Sequence, residues 1–516
     1  MNVSTKTRKS QHLAMIAIIA GVFFAADDQT VVVTIIPRMM TDLNVGVTEL
    51  NQVSWTITGY LLGYVAVMPV MGRLSDIFGR RNIYIMGMLI FMFGSVGTAM
   101  TASMYWLTDS ETLRNSYFHG PLDYIVNATT TVEWVVVTRI IQSIGAGALV
   151  PVSIAMVADI YPTGKRAMAM GLIGAAAEMG AVVGPVWGGM VTKFLDWQWV
   201  FWLNLPVAII VLLGICLSFP DGKRIKGNID YVGATMVAGA LCLITLGCSS
   251  LGESSSYIYI YFTLGIACIV GYPFLAARIS NPIIPLVLFR NTEFVASNIV
   301  NILYGASLMI ALVTIPLMAN TILMKSPMEG GLILSRLTIA IPIGAVLGGI
   351  LIKNLDRRIP SIVALVMCGS ALLLMQYWDQ NIKDPLMSIH LIIAGLGFGL
   401  IIAPVTLTAV NSGGETMRGA TAGIITTSRF IGMTLGISAI AAWGSGRFKN
   451  LLLGVEVPML TAGETTTQMS TRLDEFQSSI TGIGVSIFSD FYQTAGIICI
   501  LAIFPCIFMK SESASY

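Results

Sequence analysis

Charge is what this 516-residue chain has least of: Asp, Glu, Lys and Arg make up 11% of it, against roughly 25% in a soluble domain. With 55% hydrophobic residues and a mean hydropathy of +0.80, that scarcity excludes a soluble globular protein. The net charge of +2 leaves no basic footprint, so no nucleic-acid partner is expected. Histidine is almost missing, and the three present (His12, His119, His390) are too dispersed for a metal cluster. The seven cysteines (Cys216, Cys242, Cys248, Cys268, Cys368, Cys499, Cys506) include no C-x-x-C pair, which argues against a zinc site or a disulfide framework. No Walker phosphate loop and no nucleophile–base pair can be read. Neither an enzyme nor a metal or cofactor is therefore expected.

What is abundant is apolar sequence. Runs of about twenty residues, each able to cross a ~30 Å hydrocarbon core, recur roughly fourteen times, from 12–36 to 490–509. The chain is read as an all-α polytopic membrane protein with the lipid bilayer as its surroundings. Met1–Gln11 is basic (Lys6, Arg8, Lys9) like a signal-peptide start. The run behind it continues past Asp27 and Asp28 to Pro37 without a cleavage site, so a retained first span is expected. Arg73, Arg80, Arg81, Lys165, Arg166, Lys223, Arg224, Lys226, Arg357, Arg358 and Lys510 fall on one side of the alternating spans, and fewer basic residues on the other. Both termini are therefore expected in the cytoplasm, in a multi-pass protein of the cell membrane. Two long stretches fall on the opposite side. Residues 108–131 include the sequon Asn127-Ala-Thr, and 446–489 is expected as a long outside loop able to lie as an interfacial helix.

A weak repeat points to two halves. Gly72-Arg-Leu-Ser-Asp-Ile-Phe-Gly-Arg-Arg81 follows the second span, and Gly349-Ile-Leu-Ile-Lys-Asn-Leu-Asp-Arg-Arg358 follows the tenth. Lys353 stands in the second copy where Asp76 stands in the first. Repeated halves are common in secondary transporters. The expected division is a six-helix half at 1–219, two extra helices at 220–292 joined by the turn 251–256, and a six-helix half at 293–516.

Within the fifth run, Gly180, Gly184 and Gly188 recur every four residues beside Pro185 and Gly189. On a helix they form a bare stripe that lets another backbone approach, and Pro185 removes one helical hydrogen bond. Two readings follow: a tightly packed helix pair, or a hinge or seal in a moving transporter.

Several motifs in order carry a resemblance. Gly72-x-Leu-x-Asp76-x-x-Gly79-Arg80-Arg81 resembles the signature loop of the major facilitator superfamily, and Arg139-x-x-Gln142-x-x-Gly145-Ala-Gly147 its fourth-helix motif. Gly180-x-x-x-Gly184-Pro185-x-x-Gly188-Gly189 resembles the fifth-helix motif of its antiporters. Asp28-Gln-Thr-Val-Val-x-x-x-Ile-Pro37, Trp197-x-Trp199-x-Phe201-x-x-Asn204-x-Pro206 and Gly419-x-x-x-Gly423-Ile-x-x-Thr-x-Arg429-x-x-Gly432 look like the fourteen-span drug–proton antiporters of EmrB/QacA type. The resemblance implies the major facilitator fold, two six-helix halves plus two central helices. It also implies that Asp28 is the motif acid, that Arg139 influences proton release, and that Asp76, Gly72, Gly79, Arg80 and Arg81 form a conformational latch.

Asp27, Asp28, Arg139, Glu178, Arg336 and Arg429 all lie inside apolar runs. A charge at mid-membrane costs about 2.5–3.5 kcal/mol on insertion scales, so each is expected to face a cavity, a partner or a water path. Asp27 and Asp28 are turned about 100° apart on a helix and cannot point the same way. Asp28, Asp27, Arg139 and Glu178 are the candidates for proton or substrate coupling. A fixed guanidinium favours the charged form of a nearby carboxylate and so ejects its proton. Arg336 and Arg429 are expected to be structural. The 29 Met and the aromatics Trp55, Tyr60 and Tyr64 suit an adaptable apolar pocket, or equally ordinary lipid-facing or core surface. The leading expectation is a monomeric proton-coupled antiporter that exports amphipathic small molecules of multidrug type by alternating access. Its rival keeps the fold and carries a lipid, a metabolite or a siderophore.

Overall fold

A computed structural model describes residues 2–43, 50–101, 132–219, 230–249, 257–279, 282–353, 355–455 and 466–509. The stretch 108–131 with Asn127, the turn 251–256, and Lys223, Arg224, Lys226 and Lys510 lie outside the described residues. The described residues form α1 (Asn2–Asp42), α2 (Leu50–Phe78), α3 (Arg80–Ala99), α4 (Val132–Ile160), α5 (Thr163–Phe194) and α6 (Trp199–Ser218). Then come α7 (Tyr231–Ser249), α8 (Tyr257–Ala276), a short 3-10 turn (Leu286–Arg290), α9 (Thr292–Thr321), α10 (Pro327–Leu351), α11 (Arg358–Met375), α12 (Leu386–Leu400) and α13 (Ile402–Ser412). The series ends with α14 (Arg418–Leu452), α15 (Thr466–Leu501) and α16 (Ile503–Cys506). Among the described residues fourteen helical stretches are long and apolar enough to cross a membrane, α12–α13 and α15–α16 each forming one. All regular structure among the described residues is helical, and the protein is polytopic. In lipid only helices and closed β-barrels satisfy every backbone group, and uninterrupted apolar runs of about twenty residues suit the helix.

Two compact units are present. The first holds Met1–Ile244, Thr263–Val295 and Thr406–Thr427. In it α1 packs on α5 and α6, while α4 packs on α2 and α3. One of its cores gathers Val31, Ile35, Val135, Trp197 and Phe201. The Trp197 indole N–H donates to Asp42 at 2.9 Å, fixing the start of α6 against the end of α1. The second unit holds Thr245–Phe262, Ala296–Val405 and Ser428–Tyr516, with α12 packed on α10 and α11, and α11 packed on α15.

Small residues set both seams. A Cβ at Gly180 would collide with the Phe23 carbonyl, one at Gly184 with the Asp27 carbonyl, and one at Gly188 with the Val31 carbonyl. The stripe is thus the α1–α5 seam, and α5 runs as helix straight through Pro185. Gly189 faces open space and takes no part in it. The second unit uses the same device, since Gly344 meets the Leu396 carbonyl while Gly395 and Gly399 meet those of Leu337 and Ile341.

The two repeat copies turn differently. Gly79 alone separates α2 from α3, with φ of 92°, a left-handed conformation that glycine adopts without a Cβ penalty. In the second copy a short turn between α10 and α11 does that work, where the Asp356 carboxylate accepts from the Arg358 amide at 3.1 Å.

The stretch 446–489, expected as an outside loop, is largely the ends of two long helices, with 456–465 outside the described residues. α14 has 35 residues and α15 has 36; at 1.5 Å per residue they run about 52 and 54 Å, well beyond a ~30 Å hydrocarbon core.

Candidate functional site

The first unit is built around Asp28, which is fully buried on α1. Its Oδ2 accepts from Arg139 Nη1 at 2.5 Å, and its Oδ1 accepts from Asn204 Nδ2 at 2.8 Å and Gln142 Nε2 at 3.0 Å. Arg139 Nη2 donates to the Asp28 backbone carbonyl at 3.0 Å. Gln142 makes two further bonds: its Oε1 accepts from Arg139 at 2.6 Å, and its amide donates to Ser95 at 2.6 Å. The guanidinium lies over the Tyr60 ring at 4.1 Å and 5.5 Å from the Phe201 ring. Side chains from α1, α2, α3, α4 and α6 thus converge on one ion pair. A buried pair is tolerated when most of its remaining lone pairs and protons find partners; here Gln142, Asn204 and the aromatic faces supply them, and Arg139 Nε alone of these groups has no hydrogen bond among the described residues.

Asp27 does not join this cluster. It is buried, and its Oδ1 has no hydrogen-bond partner among the described residues. Glu178 is buried on α5 and is not among the groups that hold Asp28.

A second polar cluster surrounds Asp76. Its Oδ1 and Oδ2 accept from the backbone amides of Gly419 at 2.9 Å and Ala420 at 3.0 Å, at the first turn of α14. That is where a helix presents unpaired N–H groups and the positive end of its dipole. Arg80 lies 3.4 Å from Asp76 and Arg73 lies 3.9 Å away. Arg80 also pairs with Asp159, whose other oxygen accepts from Arg418 at 2.7 Å. Gly72 lets α2 touch α14, because a Cβ there would strike the Gly419 carbonyl. Arg81 points elsewhere and donates to the Cys216 carbonyl at 2.8 Å, near the end of α6.

Arg336 pairs with Asp384 at 2.6 Å and donates to Ser388 at 2.7 Å, with both partners beyond or at the rim of the span. Arg429 lies 5.5 Å from the Tyr304 ring within the second unit.

Sequence reasoning placed Asp28, Arg139 and Asp76 but assigned no role to Ser95, Asn204 or Asp159. Asn204 and Gln142 were visible as polar positions in quoted motifs. Asp159 ends an apolar run beside Tyr161-Pro162, which reads as an ordinary helix end.

The second unit contains a cavity of about 1040 Å³ between α9, α14 and α15. Ile440, Phe448, Phe476, Ile480, Phe488 and Phe491 line it, and among the described residues no charged side chain does.

Residues 18–437 match the model of the Major Facilitator Superfamily. This chain belongs to that superfamily. It is a multi-pass membrane transporter and not an enzyme. It is 30% identical over 519 residues to a triacylglyceride transporter of Mycolicibacterium smegmatis, covering 96% of this chain and 87% of the relative. To a triacylglyceride transporter of Mycolicibacterium hassiacum it is 32% identical over 467 residues, covering 86% and 81%. Among solved structures it resembles the human organic anion transporter MFSD10, with a TM-score of 0.61 at 13% identity over 96% of this chain and 99% of the other. It also resembles the proton:xylose symporter XylE, with a TM-score of 0.60 at 14% identity over 96% and 95%. These two likenesses concern the fold.

Proposed function

We propose that this transporter exports a lipid-like amphipathic molecule in exchange for protons, by alternating access. The observation that carries the reading is the 1040 Å³ cavity, whose lining is apolar and uncharged. Thr and Gln are the polar groups in its lining, which is otherwise apolar, as a site for an acyl chain requires. The cavity is walled in part by α14 and α15, whose length beyond the hydrocarbon core would keep an acyl chain covered outside the bilayer. The relatives named for triacylglyceride transport support the same cargo class.

Proton coupling rests on Asp28 and Arg139. The ion pair between them would break and reform as the carrier alternates. Asp76 on the first turn of α14 would act as a latch that breaks and reforms with each cycle. Motif order, similar to that of the fourteen-span drug–proton antiporters, supports this drive. Export of a cationic drug is the second reading, favoured by the unpartnered buried Oδ1 of Asp27. On either reading the protein works as a monomer in the cell membrane, with both termini in the cytoplasm.

The test is transport in proteoliposomes under an imposed pH gradient, with a labelled lipid (a partial glyceride and a triacylglyceride in turn) and a cationic dye offered in parallel. Gradient-dependent movement of the lipid is the expected result. Movement of the dye without the lipid would replace this reading by the second.

A further inference from the structure

The apolar cavity does not end in apolar residues. A second cavity of about 310 Å³ is lined by Ile322, Met324, Gln380, Asp474, Gln477, Ser478 and Thr481. Ile322, Met324, Gln477 and Thr481 line both cavities, so the two lie side by side. Asp474, Gln477, Ser478 and Thr481 follow the i, i+3, i+4, i+7 pattern and form one polar face of α15. The apolar stripe Leu473, Phe476, Ile480 and Ile487 runs beside it and lines the larger cavity. One helix therefore offers an apolar track and a polar seat side by side.

Acceptors outnumber donors in that seat. The Ser478 hydroxyl donates to the Glu475 carbonyl at 2.8 Å, and the Thr481 hydroxyl donates to the Gln477 carbonyl at 2.7 Å. With its proton on its own helix, each hydroxyl has lone pairs left for a ligand. Asp474 adds a carboxylate, an acceptor without donors, and it has no ion-pair partner among the described residues. Gln380 and Gln477 can donate or accept. At the junction of the cavities Met324 takes φ of 50°, in the left-handed region that residues other than glycine rarely occupy. Such backbone is kept where its surroundings hold it, often beside a ligand.

We propose that this polar pocket is the seat for a lipid head group bearing hydrogen-bond donors, a free hydroxyl or an ammonium, whose acyl chain lies in the adjoining apolar cavity. This rests on the lipid-transport reading and narrows it. A fully esterified triacylglyceride offers only acceptors, so seating it would strip water from Asp474, Ser478 and Thr481 and return no donor. A partial glyceride returns a hydroxyl, and a long-chain amine returns an ammonium together with a charge opposite to that of Asp474.

The experiment uses the full chain and reads binding and gradient-driven transport separately, for dioleoylglycerol, oleylamine and trioleoylglycerol. Both donor-bearing lipids are expected to bind at least about tenfold more tightly than trioleoylglycerol. Asp474→Asn should abolish the preference for oleylamine and keep that for dioleoylglycerol, which separates ammonium from hydroxyl recognition. Asp474→Leu should remove both preferences while trioleoylglycerol binding holds or rises. Equal binding of the three lipids by the wild type overturns the assignment, as does an unchanged preference in a folded Asp474→Leu protein. Wild-type preference in binding without gradient-driven movement leaves the head-group seat standing and removes the transport reading instead.

Discussion

The Thr30 hydroxyl on α1 donates at 3.0 Å to the carbonyl of Ala181 on α5, and Pro185 is the reason that carbonyl is open. Proline lacks the N–H that would have bonded back to position 181. The facing helix supplies the donor that α5 lost, inside the seam made by Gly180, Gly184 and Gly188. Thr30→Val should therefore cost about 1 kcal/mol by removing this bond. Gly184→Ala should cost more, about 1–3 kcal/mol, because its Cβ would press on the Asp27 carbonyl at 2.6 Å. Thermal unfolding of the purified protein in detergent measures both, and a Thr30→Val protein as stable as wild type would refute the bond's role.

Arg139 and Asp28 are each buried only because the other is there. Asp28→Asn strands the guanidinium and should destabilise by about 3–5 kcal/mol as well as ending gradient-driven transport. Pairing it with Arg139→Gln should return much of the stability and none of the coupled transport. Arg139→Lys keeps the charge but not the fork that reaches both the Asp28 carboxylate and its backbone carbonyl. It should slow coupled transport while the protein stays folded. Recovery of proton-driven transport in the double variant would exclude Asp28 as the proton site.

Asp76→Asn leaves an oxygen for one of the two α14 amides and loses the attraction of Arg73 and Arg80. A loss of about 1 kcal/mol in stability is expected, together with slower turnover at unchanged expression. Wild-type turnover in a folded Asp76→Asn protein would remove the latch.

The Arg336–Asp384 pair gives a pH signature at the rim of the second unit. Hydrogen bonding from Ser388, and then the Arg336 charge, hold Asp384 below its ordinary value of 3.8. A lowered folded value means that the stabilisation is present in full above the ordinary range and fades as pH falls through the folded value. Asp384 is half exposed, so Asp384→Asn should cost less than about 1 kcal/mol at neutral pH. Unfolding curves of wild type and variant should converge in strong acid; a gap that persists there would contradict the pairing.

The spans were legible because a membrane permits few alternatives: long apolar runs must become helices. Asp28, Arg139 and Asp76 were legible because charge within or beside such runs is costly and needs a reason. Their partners were not. Asn204 and Ser95 are unremarkable polar residues until α6 and α3 bring them to Asp28 from 176 and 67 positions away. The helical continuation of α14 and α15 was masked by Gly446, Gly454 and scattered charges, although Leu473, Phe476, Ile480 and Ile487 already follow helical spacing.

The neutrality of the Asp28–Arg139 pair has an electrical meaning. With both groups ionised the cluster carries no net charge, so the membrane voltage exerts no net pull on it. One proton on Asp28 would uncover the full positive charge of Arg139. Carrying that charge across the field would be worth about 2.3 kcal/mol per 100 mV. A carrier loaded in this way would draw on the membrane potential as well as the pH difference, with Arg139 as its gating charge.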